Sequence, residues 1–311
     1  MKMTWPVTRC FLAGMLCFTL GSPARSSADS QWPQYAVRIV SMHSLGSIDD
    51  PIARPLAEEL KKSSRFQVAL QHHLLDAKPS GPEVVAGSVP NGQTIGVLGE
   101  GNVNQGLRHL SLLARTPLVL VAHSSSGFSN FRDIVRAARQ RPGQVLIGSP
   151  GPESSGHLAI EEFNTSQGIE LTAIAYKSSG PLISDLVSGR MALGVVPLSA
   201  ALAHIKAGRL RALGISSREP DTRLPDIKTL SSQGLENYEL YSWWGAFSAS
   251  TISDDIAAQI ESRFSSLANK PEFVESMRSK GIDFLAQDGL SLIRAIESST
   301  TRRSTARGAR G

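Results

Sequence analysis

Short apolar runs alternate with stretches of helical spacing along most of the chain. Residues 35–40 (Tyr-Ala-Val-Arg-Ile-Val) predict a strand, and Ile52, Leu56 and Leu60 then fall four apart on one helical face. Further strands are predicted at 66–70, 94–98, 118–122, 145–148, 171–176, 193–196, 210–215 and 243–248. Helical spacing marks 82–86, 131–139, the segment opening at 158, 182–187, 200–207, 254–268 and 271–279. Pro90-Asn91-Gly92 and Pro142-Gly143 punctuate the pattern, and Gly208 and Gly281 each close a helix.

Strand–helix alternation of this kind implies parallel sheets covered by helices on both faces. The body is about 270 residues, near the size at which one core divides, so two α/β lobes are expected. Residues 299–311, rich in Ser, Thr and Arg, show no apolar face and are expected to be disordered.

The first residues read differently. Lys2 and Arg9 precede an apolar run over 10–21, and Ser26-Ser27-Ala28 fits a small-x-small cleavage site. Residues 1–28 are therefore expected to be a cleaved secretory signal, which implies a periplasmic protein. The run is too short for a membrane span. An uncleaved anchor and a lipid anchor on Cys17 are the alternatives, and Met15-Leu16 fits the second poorly. Both cysteines, Cys10 and Cys17, lie inside this segment, so the mature chain offers neither a disulfide nor a thiolate ligand.

Composition narrows the class. Hydrophobic residues make up 41% and charged residues 19%, enough apolar material for a core and too little charge for a disordered chain. The net charge of +5 comes from the ends: three positive charges lie before residue 29 and four after residue 301, leaving −2 on the body. That body lacks the electrostatic footprint of a nucleic-acid binder.

Catalytic and metal motifs are weak. The histidines, His43, His72, His73, His109, His123, His157 and His204, include no H-E-x-x-H pair, and no metal or other cofactor is expected. Ser154 or Ser155 beside His157 could suggest a hydrolase, but Pro152 stands where a nucleophile elbow needs glycine. Residues 96–101 follow a predicted strand without completing a dinucleotide fingerprint. Residues 148–156 (Gly-Ser-Pro-Gly-Pro-Glu-Ser-Ser-Gly) instead join a strand to a helix start, where free N–H groups favour an anion. Ser44-Leu45-Gly46-Ser47 does the same after the first strand. Ordinary turns and helix caps are the competing reading of both loops.

Taken together, these segments resemble the extracytoplasmic solute receptors of tripartite tricarboxylate transporters, the Bug family. Residues 204–213 (His-Ile-Lys-Ala-Gly-Arg-Leu-Arg-Ala-Leu) are close to the family's H-I-K-A-G-K-L-R-A-L. Residues 148–159 match its G-S-x-G-x-x-S-S-x-H-L-A loop, 175–181 resemble P-Y-K-G-x-x-P, 224–230 resemble L-P-D-V-P-T-L, and Trp243-Trp244-Gly245 resembles W-x-G. The likeness runs from about Trp32 to Leu292.

The resemblance implies an α/β, two-lobed periplasmic binding protein fold, type II-like, with mainly parallel sheets and a central cleft. Lobe 1 would take 31–123 plus 238–298, and lobe 2 would take 124–237. It implies a monomeric, non-enzymatic receptor that captures a small carboxylate and passes it to membrane permease subunits, with no nucleic acid partner. The ligand-loop positions carried over are Gly46, Ser47, Asp50, Ser149, Ser154 and Ser155, with Tyr176 and Lys177 near the same strand ends. In the first loop Gly46, Asp50, Ala53 and Arg54 keep the family's pattern, whereas its prolines and second glycine are replaced. A diverged member acting as a ligand sensor or interaction module remains an alternative, as does a serine hydrolase on a related frame.

Overall fold

The computed structural model describes Met1, 32–42, 50–63, 66–73, 77–100 and 106–308, and residues 31–311 make one compact unit. The chain first lays down β1 (Val37–Met42), α1 (Asp50–Ser63), β2 (Val68–His73), α2 (Gly81–Ala86), β3 (Thr94–Gly99) and the long strand β4 (Leu107–His123). Next come α3 (Phe131–Gln140), β5 (Val145–Ser149), α4 (Ser155–Gln167), β6 (Leu171–Ala175), α5 (Ser179–Val187), β7 (Leu193–Pro197), α6 (Leu198–Lys206) and β8 (Leu210–Ile215). It returns through β9 (Tyr241–Ala249), α7 (Asp254–Ala268), α8 (Pro271–Arg278), β10 (Asp283–Asp288) and α9 (Gly289–Gly308).

The sheet runs β2-β1-β3-β9-β4-β7-β5-β6, with β8 and β10 also paired to β4. Its flanks are the expected parallel ladders, β2–β1–β3 and β6–β5–β7. Its centre is antiparallel, because β9 runs against β3, β4 against β9, and β7 against β4. The sheet is therefore mixed. Up to Pro117, β4 pairs with β9 and β10; from Leu118 it pairs with β7 and β8. One strand thus serves both halves.

Each half carries apolar packing on both faces. In the first, α1, α7 and α8 bury Leu56, Ile260, Phe264 and Met277 against one face, while Val85 of α2 and Leu292 of α9 join Phe247 on the other. In the second, Phe131 of α3 and Phe163 of α4 cover one face, and Leu182 of α5 and Leu202 of α6 the other. Full burial of a side chain of this size contributes about 1.5–3 kcal/mol. The helices start where the sequence provides caps: the side chains of Ser80, Asn130, Ser154 and Ser253 each accept a hydrogen bond from a first-turn N–H.

The expected disorder from residue 299 is corrected through residue 308. Those residues continue α9, with Ala306 buried in the second half's core. The Arg302 and Arg303 side chains supply partners rather than apolar surface, which is why apolar periodicity missed the helix. The segment expected to be a secretory signal, apart from Met1, and residues 309–311 lie outside the described residues. Among the described residues no helix is long and apolar enough to cross a membrane.

Candidate functional site

Parallel pairing brings the carboxyl ends of β5, β6 and β7 to one edge of the second half, where α4, α5 and α6 begin. Open α/β sheets bind ligands at such edges. The sequence encodes the close packing there. A Cβ at Gly156 would lie 2.6 Å from the Val195 carbonyl oxygen, so only glycine lets α4 start this close to β7.

Ser149, Ser154, Ser155 and Tyr176 meet at this edge, although their hydroxyls are differently engaged. Ser149 is fully buried, with its Oγ 3.0 Å from Nδ1 of His157. Ser154 caps α4: its Oγ accepts from the His157 N–H at 3.1 Å and donates to the Gly151 carbonyl at 2.7 Å. Tyr176 joins the edge through its N–H, which donates to the Ser149 carbonyl at 2.9 Å. Its hydroxyl donates to Asp185, which also pairs with Arg190. Burial, and then the Asp185 carboxylate, raise the Tyr176 pKa above the usual phenol value. Lys177 is exposed.

Asp50 belongs to a different cluster. It accepts from Arg54 Nε and Nη2 at 3.1 and 2.8 Å and lies 3.4 Å from His72 Nε2. The other ring nitrogen of His72 is 2.8 Å from the buried Ser41 hydroxyl. Asp50 thus opens α1 with its charge already matched, as a first-turn acid rather than a bare ligand contact. Gly46 and Ser47 fall outside the described residues.

A cavity of about 680 Å³ lies between α5 and α6 and is bounded on the α1 side by Pro51. Ile183, Val187 and Ala200 give it apolar walls, and Ser179, Ser199 and His204 give it polar ones. Ser179 Oγ, Ser199 Oγ and His204 Nδ1 are all buried without a hydrogen-bond partner. Buried polar atoms are normally satisfied, so three orphans around one cavity single it out as a candidate polar site. No N-cap side chain serves α5 or α6; the amino end of α5 is left open, whereas at α6 the Ser199 N–H donates to the Thr116 hydroxyl at 3.3 Å. Burial, followed by the charge of Arg209, lowers the His204 pKa below the ordinary imidazole value.

Sequence reasoning missed Ser179, Ser199 and His204 as a group. Their signal was present but scattered: Ser179 lies in the 175–181 motif and His204 opens the 204–213 stretch. It also missed Glu100, one residue past β3, whose carboxylate meets both Ser155 of α4 and Ser242 of β9. In the sequence, Glu100 stands between Gly99 and Gly101 with no local partner to mark it.

Neither serine–histidine array has the form of an exposed nucleophile. Ser41 beside His72 and Ser149 beside His157 are both fully buried, and Ser154 Oγ is spent on its cap. Among the described residues no group of three or more His, Cys, Asp or Glu could hold a metal ion.

Over residues 68–308 the sequence matches the family described as the tripartite tricarboxylate transporter family receptor. The chain belongs to this family. The receptor is 26% identical over 283 residues to protein BugT of Bordetella pertussis, covering 86% of each chain. It is also 26% identical over 288 residues to a UPF0065 protein from the tcbD-tcbE intergenic region of Pseudomonas sp. strain P51, covering 88% of this chain and 86% of that one. Among solved structures it is similar to R. palustris Rpa4515 with adipate, at TM-score 0.81 and 23% identity, covering 89% of this chain and 98% of that one. MatC of Rhodopseudomonas palustris with bound malate superposes at TM-score 0.77 and 18% identity, covering 88% and 99%. Periplasmic binding protein BugD superposes at 0.76 and 17%, covering 88% and 98%. The receptor has the two-lobed α/β fold of these periplasmic binding proteins.

Proposed function

We propose that this receptor binds a small carboxylate in its cleft outside the cytoplasm and releases it unchanged to the permease subunits of a tripartite tricarboxylate transporter. The observation that carries the reading is the α5–α6 cavity with its three unpartnered polar atoms. Its volume suits a small organic acid. The open amino end of α5 and the His204 imidazole provide donors that a carboxylate can use. The fold shared with an adipate-bound and a malate-bound protein supports the same class of solute.

In this reading lobe 1 comprises 31–123 with 238–298, lobe 2 comprises 124–237, and the receptor works as a monomer without catalysis. Residues 1–28 direct export to the periplasm, and Gly46 and Ser47 are solute-binding positions carried over from the family's first-loop pattern. Ser149, Ser154 and Tyr176 shape the second loop, chiefly through their backbone, and Lys177 is the nearby cation for an anionic solute. The test is a thermal-shift screen of mono-, di- and tricarboxylates, with the solute recovered and analysed afterwards. A raised melting temperature with the acid recovered intact is expected, because a ligand that binds only the folded state stabilises it. Conversion of the acid, or the absence of a shift with every acid, rejects the reading.

A further inference from the structure

Arg115 carries a charge that no protein carboxylate answers. It sits on β4 just before that strand passes from the first half to the second. Its guanidinium lies over the Tyr241 ring, 4.1 Å from the centre, and its Nε is buried without a hydrogen-bond partner. Around it lies a cavity of about 340 Å³ that shares no lining residue with the α5–α6 cavity. The loop over 217–223, which follows β8, forms one wall, and the next residue, Leu224, is buried in the second half's core. Arg115, Arg278 of α8 and Asp283 of β10 form the wall from the first half. Successive residues of a strand face opposite ways. Arg115 and Tyr241 open onto this cavity, whereas the residues after them, Thr116 and Ser242, meet the Ser199 N–H of α6 and the Glu100 carboxylate. The cavity therefore lies on the reverse face of the β4–β9 ladder from the amino end of α6.

The charges around the cavity are unevenly matched. Arg223 donates to Asp221 from Nε and Nη2 at 2.7 and 2.5 Å, and to Asp283 from Nη1 at 3.0 Å, so these three groups answer one another. Arg278 donates to the Thr222 hydroxyl at 2.6 Å. Arg218 is exposed and, like Arg115, has no ion-pair or hydrogen-bond partner among the described residues. Glu219 is exposed and Glu239 bears on the Tyr241 hydroxyl, and neither pairs with Arg115 or Arg218. A half-buried guanidinium left unpaired is costly, and its forked donors suit an oxyanion. Here the three arginines come from three separate elements, β4, α8 and the loop after β8. A tetrahedral oxyanion, which accepts hydrogen bonds from all sides, suits such an arrangement better than a planar carboxylate.

We propose that this cavity is a second ligand site, which takes an oxyanion of the phosphate type between Arg115, Arg218 and Arg278. Arg115 and Arg278 belong to the first half, and Arg218 to a loop anchored in the second. The bound ion thus ties the halves together on the reverse face of the strand they share. The site does not depend on the carboxylate-receptor reading above.

The test is calorimetric titration of the full mature chain with inorganic phosphate, in a chloride buffer of fixed ionic strength. Wild type is compared with Arg115→Gln, Arg218→Gln and His204→Asn, each checked for folding by circular dichroism. Wild type should bind one phosphate saturably. Each arginine variant should bind it about tenfold or more weakly, as the loss of a charge-assisted hydrogen bond implies. His204→Asn, altered in the other cavity, should bind phosphate as wild type does. Absence of saturable binding by wild type, or wild-type affinity in either folded arginine variant, overturns the site. Loss of binding in His204→Asn overturns it too, by placing the ion between α5 and α6. Arg218 is exposed and unpaired, so its variant keeps the test decisive even if Arg115→Gln, which loses the stack on Tyr241, fails to fold. The carboxylate reading stands or falls on its own solute screen, whichever result is obtained here.

Discussion

Arg302 on α9 donates from Nε and Nη2 to the two carboxylate oxygens of Glu162 on α4, at 2.7 and 2.8 Å. The same guanidinium donates to the Glu239 carbonyl and lies 5.5 Å from the centre of the Tyr238 ring. A helix rooted in the first half through Leu292 is thereby fastened to the second. Forked pairing of this kind combines charge with geometry, and a lysine cannot reproduce it.

Replacing Arg302 with alanine should lower stability by about 1.5–3 kcal/mol, the range for hydrogen bonds to charged groups. The midpoint of urea unfolding measures the change. Arg302→Lys should recover only part of the loss. An unchanged midpoint in the alanine variant would mean that α9 does not brace the second half.

Burial raises the pKa of Glu100 above the ordinary carboxylate value, with the hydrogen bonds from Ser155 and Ser242 and the charge of Arg303 opposing it. The folded state therefore holds this proton more tightly than the unfolded chain. The associated stability is present in full below the unfolded value of about 4.3 and is lost as pH rises through the folded value. Glu100→Gln, which keeps the shape without the charge, should melt higher than wild type at pH 8. The two should converge as pH falls toward 4, and parallel melting curves across that range would contradict the sign.

His204 behaves in the opposite sense. Its lowered pKa means that the unfolded chain takes up a proton first, so this contribution to stability is lost as pH falls below about 6.5. His204→Asn should flatten the acid side of the melting profile. An anion in the cavity would raise the imidazole pKa, so solute binding should take up a proton and tighten between pH 8 and 6. Calorimetry in buffers of different ionisation enthalpy reads that proton directly, and the uptake should vanish in the variant.

Gly156→Ala would put a methyl group 2.6 Å from the Val195 carbonyl oxygen, a backbone atom that cannot swing aside. The strain should cost about 1–3 kcal/mol, as overpacking typically does. It should also shift the start of α4 away from β7. A crystal structure of the variant with α4 in its original position would refute the steric account.

The flanks of the fold were legible because their strands are fully apolar or strongly β-branched, as in β3 and β7. The first two-thirds of β4 were not. Residues 107–117 mix Leu110 and Leu113 with Arg108, Ser111 and Thr116, and this reads as no simple period. Those polar groups are answered by distant residues: Arg108 by Asp254, Ser111 by the Gln287 carbonyl, and Thr116 by the Gly281 carbonyl. The same reason hides β10. At the site, the loop over 148–156 was legible as a strand end followed by a capped helix, which is a local signal. Glu100 meets a serine 55 residues away, and the cavity draws on α1, α5 and α6, so both depend on tertiary placement.

The 17-residue strand β4 has a consequence for how such a molecule can be divided. Beyond Leu118 it fills the gap between β7 and β8, so residues 124–237 made alone would expose two raw strand edges to any passing backbone. The receptor is therefore no pair of interchangeable modules on a string. Its halves share a common spine, and recombination that exchanges one half must carry that spine along with it.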